Sequence, residues 1–403
     1  MRRRGDSETA GHPLVIPAGF PDGFYAQGHP YGLYDAVRAE GGLVRHPALP
    51  LWVAGSHAAV HAVASDPAAY RSGDGILIDE IGVPFDTPPT IMHTDPPDHG
   101  RYRGLVAPAF RPSAMRRLEG AVRERIRALL EPVEAGRPFD AVAELAVPLP
   151  LQVICLLLGI PEDDWPRFFR WSESIIPGAA PELSDEERTA LRMEAGTYLV
   201  EVSNERRAAP RDDVISQLAQ AEVDGDRLTD IEMVMFLIQL LVAGNETTRH
   251  AISGGLLAFA ENPDQWEAMK RPEPMPAAIE EILRWTTPVV YFLRTATRPA
   301  VLAGREVAAG DHIMLLYGAA NRDPEAFGPD ADRFDIMRRP AVPGLAFGYG
   351  PHFCLGAALA RMEMRLVLEE LRARYAAITV ADEPVYNGSP VVVGLRSLGL
   401  AFA

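Results

Sequence analysis

One cysteine of this chain stands in a frame that an ordinary core position does not need. Cys354 closes the run Phe347-Gly348-Tyr349-Gly350-Pro351-His352-Phe353-Cys354 and is followed by Leu355-Gly356. The glycines allow positive φ and a close backbone approach. A helix beginning after the cysteine would aim amide donors at the sulfur, lowering the thiol pKa and favouring the thiolate, the form that acts as nucleophile or iron ligand. Most free cysteines are simply small buried hydrophobes. Cys155, inside Leu151-Gln152-Val153-Ile154-Cys155-Leu156-Leu157-Leu158, reads that way; Cys354 does not.

A second group is Ala243-Gly244-Asn245-Glu246-Thr247-Thr248. An acid and hydroxyls inside an apolar helix are costly unless they have partners or a task. Gly244 removes a side chain where a ligand could approach, although glycine in mid-helix costs about 1 kcal/mol relative to alanine. A threonine bonding back to a helix carbonyl would explain one hydroxyl, but not the whole cluster. Glu281-Ile282-Leu283-Arg284 puts two charges on one helical face, which taken alone is a weak surface ion pair.

These residues need elements to position them. Thr229-Asp230-Ile231-Glu232 is a capping box. It opens a helix running to about Ala260, where Asn262-Pro263 stops it. Such a helix is ~47 Å long. Its Met233 to Ala243 stretch is apolar on nearly every side, broken only by Gln239, so it must run buried through the protein. The pattern is mainly helical from Arg101 to about residue 270, with a further helix near 276–286 and another after Cys354. Gly42 to Ala54 suggests a short hairpin. Ala300–Leu302, Arg305–Val307 and His312–Leu316 suggest a small antiparallel sheet, and Val391–Val393 and Leu398–Phe402 suggest strands. Residues 72–92 read as a long functional loop. The fold class is mainly α with a small β region: a loose arm over 1–20, then a single domain over 21–403.

Composition narrows the function. The chain has 403 residues, 47% hydrophobic and 23% charged, as globular proteins do. A net charge of −16 argues against nucleic acid. Two cysteines cannot build a disulfide framework, which fits a reducing, cytoplasmic setting. The basic start Met1-Arg2-Arg3-Arg4 leads into no apolar segment, so no secretory signal or membrane anchor is expected.

The cysteine frame resembles the haem-binding signature of the cytochrome P-450 family, Phe-Gly-x-Gly-x-His-x-Cys-x-Gly, at every fixed position. The likeness spans roughly residues 40–400, with the landmarks in order, including Ala319-Ala320-Asn321-Arg322-Asp323-Pro324. It implies the cytochrome P-450 fold and haem b (iron protoporphyrin IX), with Cys354 on the iron and Phe347 and Gly348 beside the haem. It places Ala243 and Gly244 over the distal face. Glu246 and Thr247 become the acid–alcohol pair that delivers protons to dioxygen, with Glu where the family more often has Asp. His99, Arg103, Arg294 and His352 match the family's contacts to the haem carboxylates, whereas His93 and Arg101 read as structural or solvated. Glu281 and Arg284 would be joined by Arg333 in a folding trio.

The implied activity is that of a soluble bacterial monooxygenase inserting one oxygen atom from O2 into a hydrophobic small molecule such as a steroid, terpenoid or other secondary metabolite. Electrons would come from NAD(P)H through a ferredoxin reductase and a ferredoxin, because the chain shows no flavin or iron–sulfur domain. Arg111, Arg116, Arg117, Arg123 and Arg125, with Arg361 and Arg365, would form the docking face if they lie on the proximal side; otherwise they are a solvated helix face. The pocket would be lined by the 72–92 loop, the Leu240–Gly244 turn, Val289 to Phe292 and the Val392 region. Ile76, Leu77, Ile78, Val289, Val290 and Phe292 make it apolar. Two other readings use the same thiolate: a peroxide-driven peroxygenase, which would lack the acid–alcohol pair, and a non-catalytic haem sensor, which would not need it.

Overall fold

A computed structural model of the chain describes residues 24–403 apart from 85–89, 224–225 and 272. The arm expected over 1–20 lies outside the described residues. Helices dominate, and one organises the rest. Asp230–Glu261 spans 32 residues, and Thr229 caps it: its Oγ1 accepts from the Glu232 amide while Glu232 accepts from the Thr229 amide at 2.8 Å. Met233, Leu237, Leu241, Leu256 and Phe259 are all buried to within 1%. The helices Pro148–Leu158, Trp165–Ile175, Asp185–Ala208 and Met275–Thr286 pack around it. Burying a leucine side chain of this kind is worth ~1.5–3 kcal/mol, which is what holds a polar motif in the middle of such a helix. Cys155 sits fully buried on Pro148–Leu158, its thiol pushed up to about 12 by burial, so it is a core hydrophobe as expected.

Ala357–Arg374 lies along Pro112–Leu130 and also touches the long helix and Met275–Thr286. It carries the cysteine loop at its N-terminal end.

The β region differs from the sequence reading in one respect. Leu43–Arg45 and Leu51–Ala54 form the expected hairpin. They belong, however, to a five-stranded sheet ordered Leu43–Arg45, Leu51–Ala54, His312–Leu316, Tyr291–Ala296, Tyr70–Arg71. His312–Leu316 is thus its central strand, parallel to Leu51–Ala54 and antiparallel to Tyr291–Ala296. Only Ala300–Leu302 and Arg305–Val307 form the small local hairpin. The Gly310 turn, at φ 84, folds the chain back so that the Gly310 amide bonds Ala296 O and Asp311 O accepts from Ala296, feeding the next strand into the larger sheet.

Val391–Val393 is no strand. It runs beside Pro288–Val290 through one isolated bridge, Val289 to Val392, and the strands that follow are Leu395–Ser397 and Gly399–Phe402. The described parts of the 72–92 segment, residues 72–84 and 90–92, are more ordered than a simple loop. Glu80 accepts from the Ile76 and Leu77 amides at 2.7 and 3.0 Å and meets His93 Nε2 at 3.1 Å. This stitches together two short turns, Ile78–Glu80 and Ile91–His93.

Candidate active site

The cysteine loop is shaped by its glycines. Gly348 and Gly350 adopt φ of +67° and +71°, and a Cβ on Gly350 would fall 2.1 Å from the Ala64 carbonyl oxygen. No other residue fits there without moving the backbone. The Cys354 amide donates to Phe347 O at 2.9 Å, closing the loop, and the helix begins three residues later at Ala357. The thiol does not behave as the helix start alone suggests. Burial pushes it above its usual value, and the amides of Gly356 and Ala357 with the guanidiniums of Arg103 and Arg361 pull it back only in part. Desolvation outweighs the helix terminus here. A sulfur ringed by donors and cations, yet unwilling to ionise by itself, suits a ligand that loses its proton against a metal ion.

Next to the cysteine, basic side chains converge from four segments. His99 is 2% exposed, its Nε2 has no hydrogen-bond partner among the described residues, and its ring centroid lies 4.4 Å from that of His352. His352 Nε2 meets Ser72 Oγ at 3.1 Å. Arg103 donates to Phe353 O at 2.7 Å. Arg294 is buried, with Nη1 bonded to the neighbouring Leu293 O at 2.7 Å. Burial first, then Arg294, His99 and Arg103, drive His352 down to about 2, and burial with Arg103 lowers His99 as well. Asp95 is close, but its oxygens are taken by the Ser72 and Gly73 amides at 2.8 and 2.9 Å. Two guanidiniums, two imidazoles and an orphaned ring nitrogen beside a cysteine fit a group that brings carboxylates, as a haem does. His93 and Arg101 pair instead with Glu80 and Asp98, the structural and solvated roles expected of them.

The long helix opens on one side in mid-course. Ala243 is exposed in mid-helix, and Thr247 is half-buried on the same face, its Oγ1 donating to Ala243 O at 2.8 Å. Gly244 has a different reason from the one inferred from sequence. A Cβ there would meet Ile154 Cδ1 at 2.7 Å, so the missing side chain makes room for the Pro148–Leu158 helix. Glu246 turns inward and is 1% exposed. Its Oε2 lies 2.5 Å from Arg249 Nη2 and 3.4 Å from His250 Nε2. Asn245 Nδ2 is 3.4 Å from the other oxygen and 3.0 Å from Ser172 Oγ. Burial would raise the Glu246 carboxyl, but Arg249, His250 and Ser172 outweigh it and hold the group below the usual range. Beyond Arg249 stands Glu173, 4.0 Å away, raised to about 7 chiefly by burial. His250 also meets Asn387 Nδ2 at 3.2 Å and packs so closely on Gly394 that a Cβ there would lie 2.1 Å from its ring. Sequence reasoning missed this network. Arg249 and His250 stand at i+3 and i+4 from Glu246, a readable signal, whereas Ser172, Glu173 and Asn387 are distant in sequence.

Residues 175–273 and 265–393 match the family model for cytochrome P450. Cytochrome P450 126 of Mycobacterium tuberculosis is 38% identical, across 93% of this chain and 94% of its own. The chain belongs to the cytochrome P450 family. The methyl-branched lipid omega-hydroxylase of M. tuberculosis is 41% identical over 77% of this chain and 74% of that protein. A Bacillus megaterium P450 solved with testosterone is 34% identical, covers 93% of this chain and 99% of that one, and superposes with a TM-score of 0.81. As a P450, the chain is a haem-thiolate monooxygenase that takes O2 and a hydrophobic substrate. Among the described residues, no helix is long and apolar enough to cross a membrane.

The folding trio of this P450 is real but differently composed. Glu281 and Arg284 form a bidentate pair, both 2% exposed, with each bond at 2.7 Å, and this is no surface pair. The third side chain is Arg338, 3.4 Å from Glu281. Arg333 contributes only its carbonyl, which accepts from Arg284 Nη2 at 3.0 Å, while its side chain is exposed. The 330–338 loop turns its backbone inward at Arg333 and anchors Arg338 on Phe327 O and Asp330.

The arginine cluster of the P450 is largely neutralised. Arg123 pairs with Glu369 and Glu370, Arg125 with Glu162, Arg361 with Glu280, and Arg365 with Glu119 and Glu369. Arg111, Arg116 and Arg117 are exposed.

On the pocket side, Ile176, Ala179 and Val392 form a small apolar cluster with Val242 and Val391 packed against it, apart from the main core. Val289 and Phe292 are half-buried. Val290 and Ile76, expected in the lining, are 0% and 3% exposed and belong to the core.

Proposed function

We propose that residues 21–403 act as one P450 domain that binds haem b and hydroxylates an apolar small molecule of steroid or branched-lipid type. The observation that carries this reading is the glycine-shaped Cys354 loop, with His99, Arg103, Arg294 and His352 gathered beside it. Cys354 Sγ would hold the iron, and the four basic side chains would take the haem carboxylates, with Phe347 and Gly348 on the cysteine side of the ring and Ala243 on the helix side, where Gly244 turns to Ile154 instead. Haem, when bound, supplies the iron at which O2 is reduced and one oxygen atom is passed to the substrate.

The chain's own residues handle protons and water. Thr247 gives up its bond to Ala243 O and turns its O–H toward the reacting centre. Glu246 replaces the proton that Thr247 delivers, and loosening of the Arg249 contact raises the Glu246 pKa enough for it to carry one. Apolar Val242, Val392 and Phe292 exclude water from the substrate side.

The substrate class is supported by the names of two relatives, one a methyl-branched lipid omega-hydroxylase and one bound to testosterone. Electrons would come from NAD(P)H through a ferredoxin reductase and a ferredoxin, docking at Arg111, Arg116 and Arg117, in the cytoplasm, a setting that suits two cysteines that form no disulfide. Turnover with that electron chain under isotopically labelled dioxygen tests the reading. One labelled oxygen per product is expected. Label-free product, or turnover by hydrogen peroxide with none from the electron chain, would contradict it.

A further inference from the structure

We infer that Gln239 is the polar recognition point of the substrate pocket, and that the substrate is an apolar skeleton bearing a hydroxyl or oxo group that this amide binds. The inference rests on the P450 reading above and narrows its substrate class.

Gln239 is the one polar side chain in the Met233 to Ala243 stretch. Its direction follows from helix geometry. Leu237 and Leu241, two residues to either side, are both 0% exposed in the core. They lie about 200° around the helix from Gln239, so Gln239 points the other way. Ala243 and Thr247 follow at i+4 and i+8 on a ridge that drifts only about 40° per step, so all three face the opening of the helix. Gln239 is itself only half-buried there. Val242, between them, packs with Ile176, Ala179 and Val392 in the small cluster on the pocket side.

Among the described residues, Gln239 Oε1 is buried and has no hydrogen-bond partner. An amide offers two donors and an acceptor, and which end of it points outward is set by the partner it finds. A leucine would fill this apolar wall without a desolvation penalty, so a glutamine there calls for a partner delivered with the ligand. A hydroxyl donates to that oxygen, or a carbonyl accepts from the amide N–H once the amide is turned over; a plain hydrocarbon leaves it orphaned. The two helical turns to Thr247 put that oxygen roughly 12 Å along the helix from the proton donor. The oxidised carbon and the recognised oxygen are therefore at opposite ends of the molecule.

The test is spin-shift titration of the haem-loaded protein with matched probes: 5α-androstane against 5α-androstan-17β-ol, and farnesane against its saturated alcohol, hexahydrofarnesol. Wild type should bind at least one alcohol about 10-fold or more tightly than its hydrocarbon, because a site built to hydrogen-bond an oxygen rejects the analogue that lacks it. In Gln239→Leu the preference should fall to within about 2-fold, with hydrocarbon affinity unchanged or higher. Equal affinities within both pairs in wild type, a preference that survives in Gln239→Leu, or no spin shift with any probe would each overturn the inference. The ferrous-carbonyl band of the same samples separates this failure from failure of the P450 reading, since it should be the same in both proteins.

Discussion

At the scale of single residues, Glu246 and Thr247 are adjacent in sequence but occupy different environments. The hydroxyl lies on the accessible face of the helix, and the carboxylate lies inside an ion pair with Arg249. Their division of labour gives a direct expectation. Glu246→Gln should leave spin-shift affinity within about 2-fold, yet slow product formation by the 10²–10⁴ associated with a lost proton donor, while oxygen is still consumed. A matching loss of substrate affinity would show that Glu246 only holds the fold.

Glu173 makes a second residue-scale prediction. Its folded-state pKa is raised to about 7 from 4.5, so the folded chain holds a proton that the unfolded chain releases. Its favourable contribution is complete below 4.5 and is lost as pH rises toward 7. Glu173→Gln should therefore match wild type in denaturant unfolding at pH 4 and be more stable at pH 8, by up to about 3 kcal/mol at 1.36 kcal/mol per unit. Equal stability at both pH values would contradict it.

At this scale the cysteine frame and Glu246 were legible because their residue types are costly without a purpose. The third arginine was not, because Arg333 and Arg338 share one loop, and only the backbone direction decides which side chain turns in.

At the scale of elements, the long helix was readable to within a residue or two, since its cap and its stop are local signals. The five-stranded sheet was not. Leu51–Ala54 and His312–Leu315 pair in parallel across some 260 residues, and no local pattern states that register. Gly244 shows the same limit: its absent side chain answers to Ile154, on another helix. This is testable as a coupling. Gly244→Ala should destabilise the protein by about 1–3 kcal/mol through overpacking. Ile154→Val, which removes the Cδ1 that would be struck, should recover much of that, giving a favourable interaction energy of 0.5 kcal/mol or more in a double-mutant cycle. Strict additivity would mean the two helices do not meet there as described.

At the scale of the whole molecule, a net charge of −16 surrounds an exposed trio of arginines, Arg111 at the start of the helix beside the cysteine's own and Arg116 and Arg117 on it. Local charge, not net charge, steers a partner's approach. Arg116→Glu with Arg117→Glu should slow reduction by an acidic ferredoxin by 10-fold or more at low salt, less at high salt, with spin-shift affinity unchanged. An unchanged reduction rate would place the docking face elsewhere.

The central claim is the bond between Cys354 and iron, and the ferrous-carbonyl difference spectrum of the purified, haem-loaded protein tests it most directly. Wild type should show the red-shifted Soret band of a thiolate ligand, and Cys354→Ala should lose that band or lose the haem. A wild-type spectrum with the shorter-wavelength band of a neutral or histidine ligand, or a thiolate band that persists in Cys354→Ala, would contradict the account.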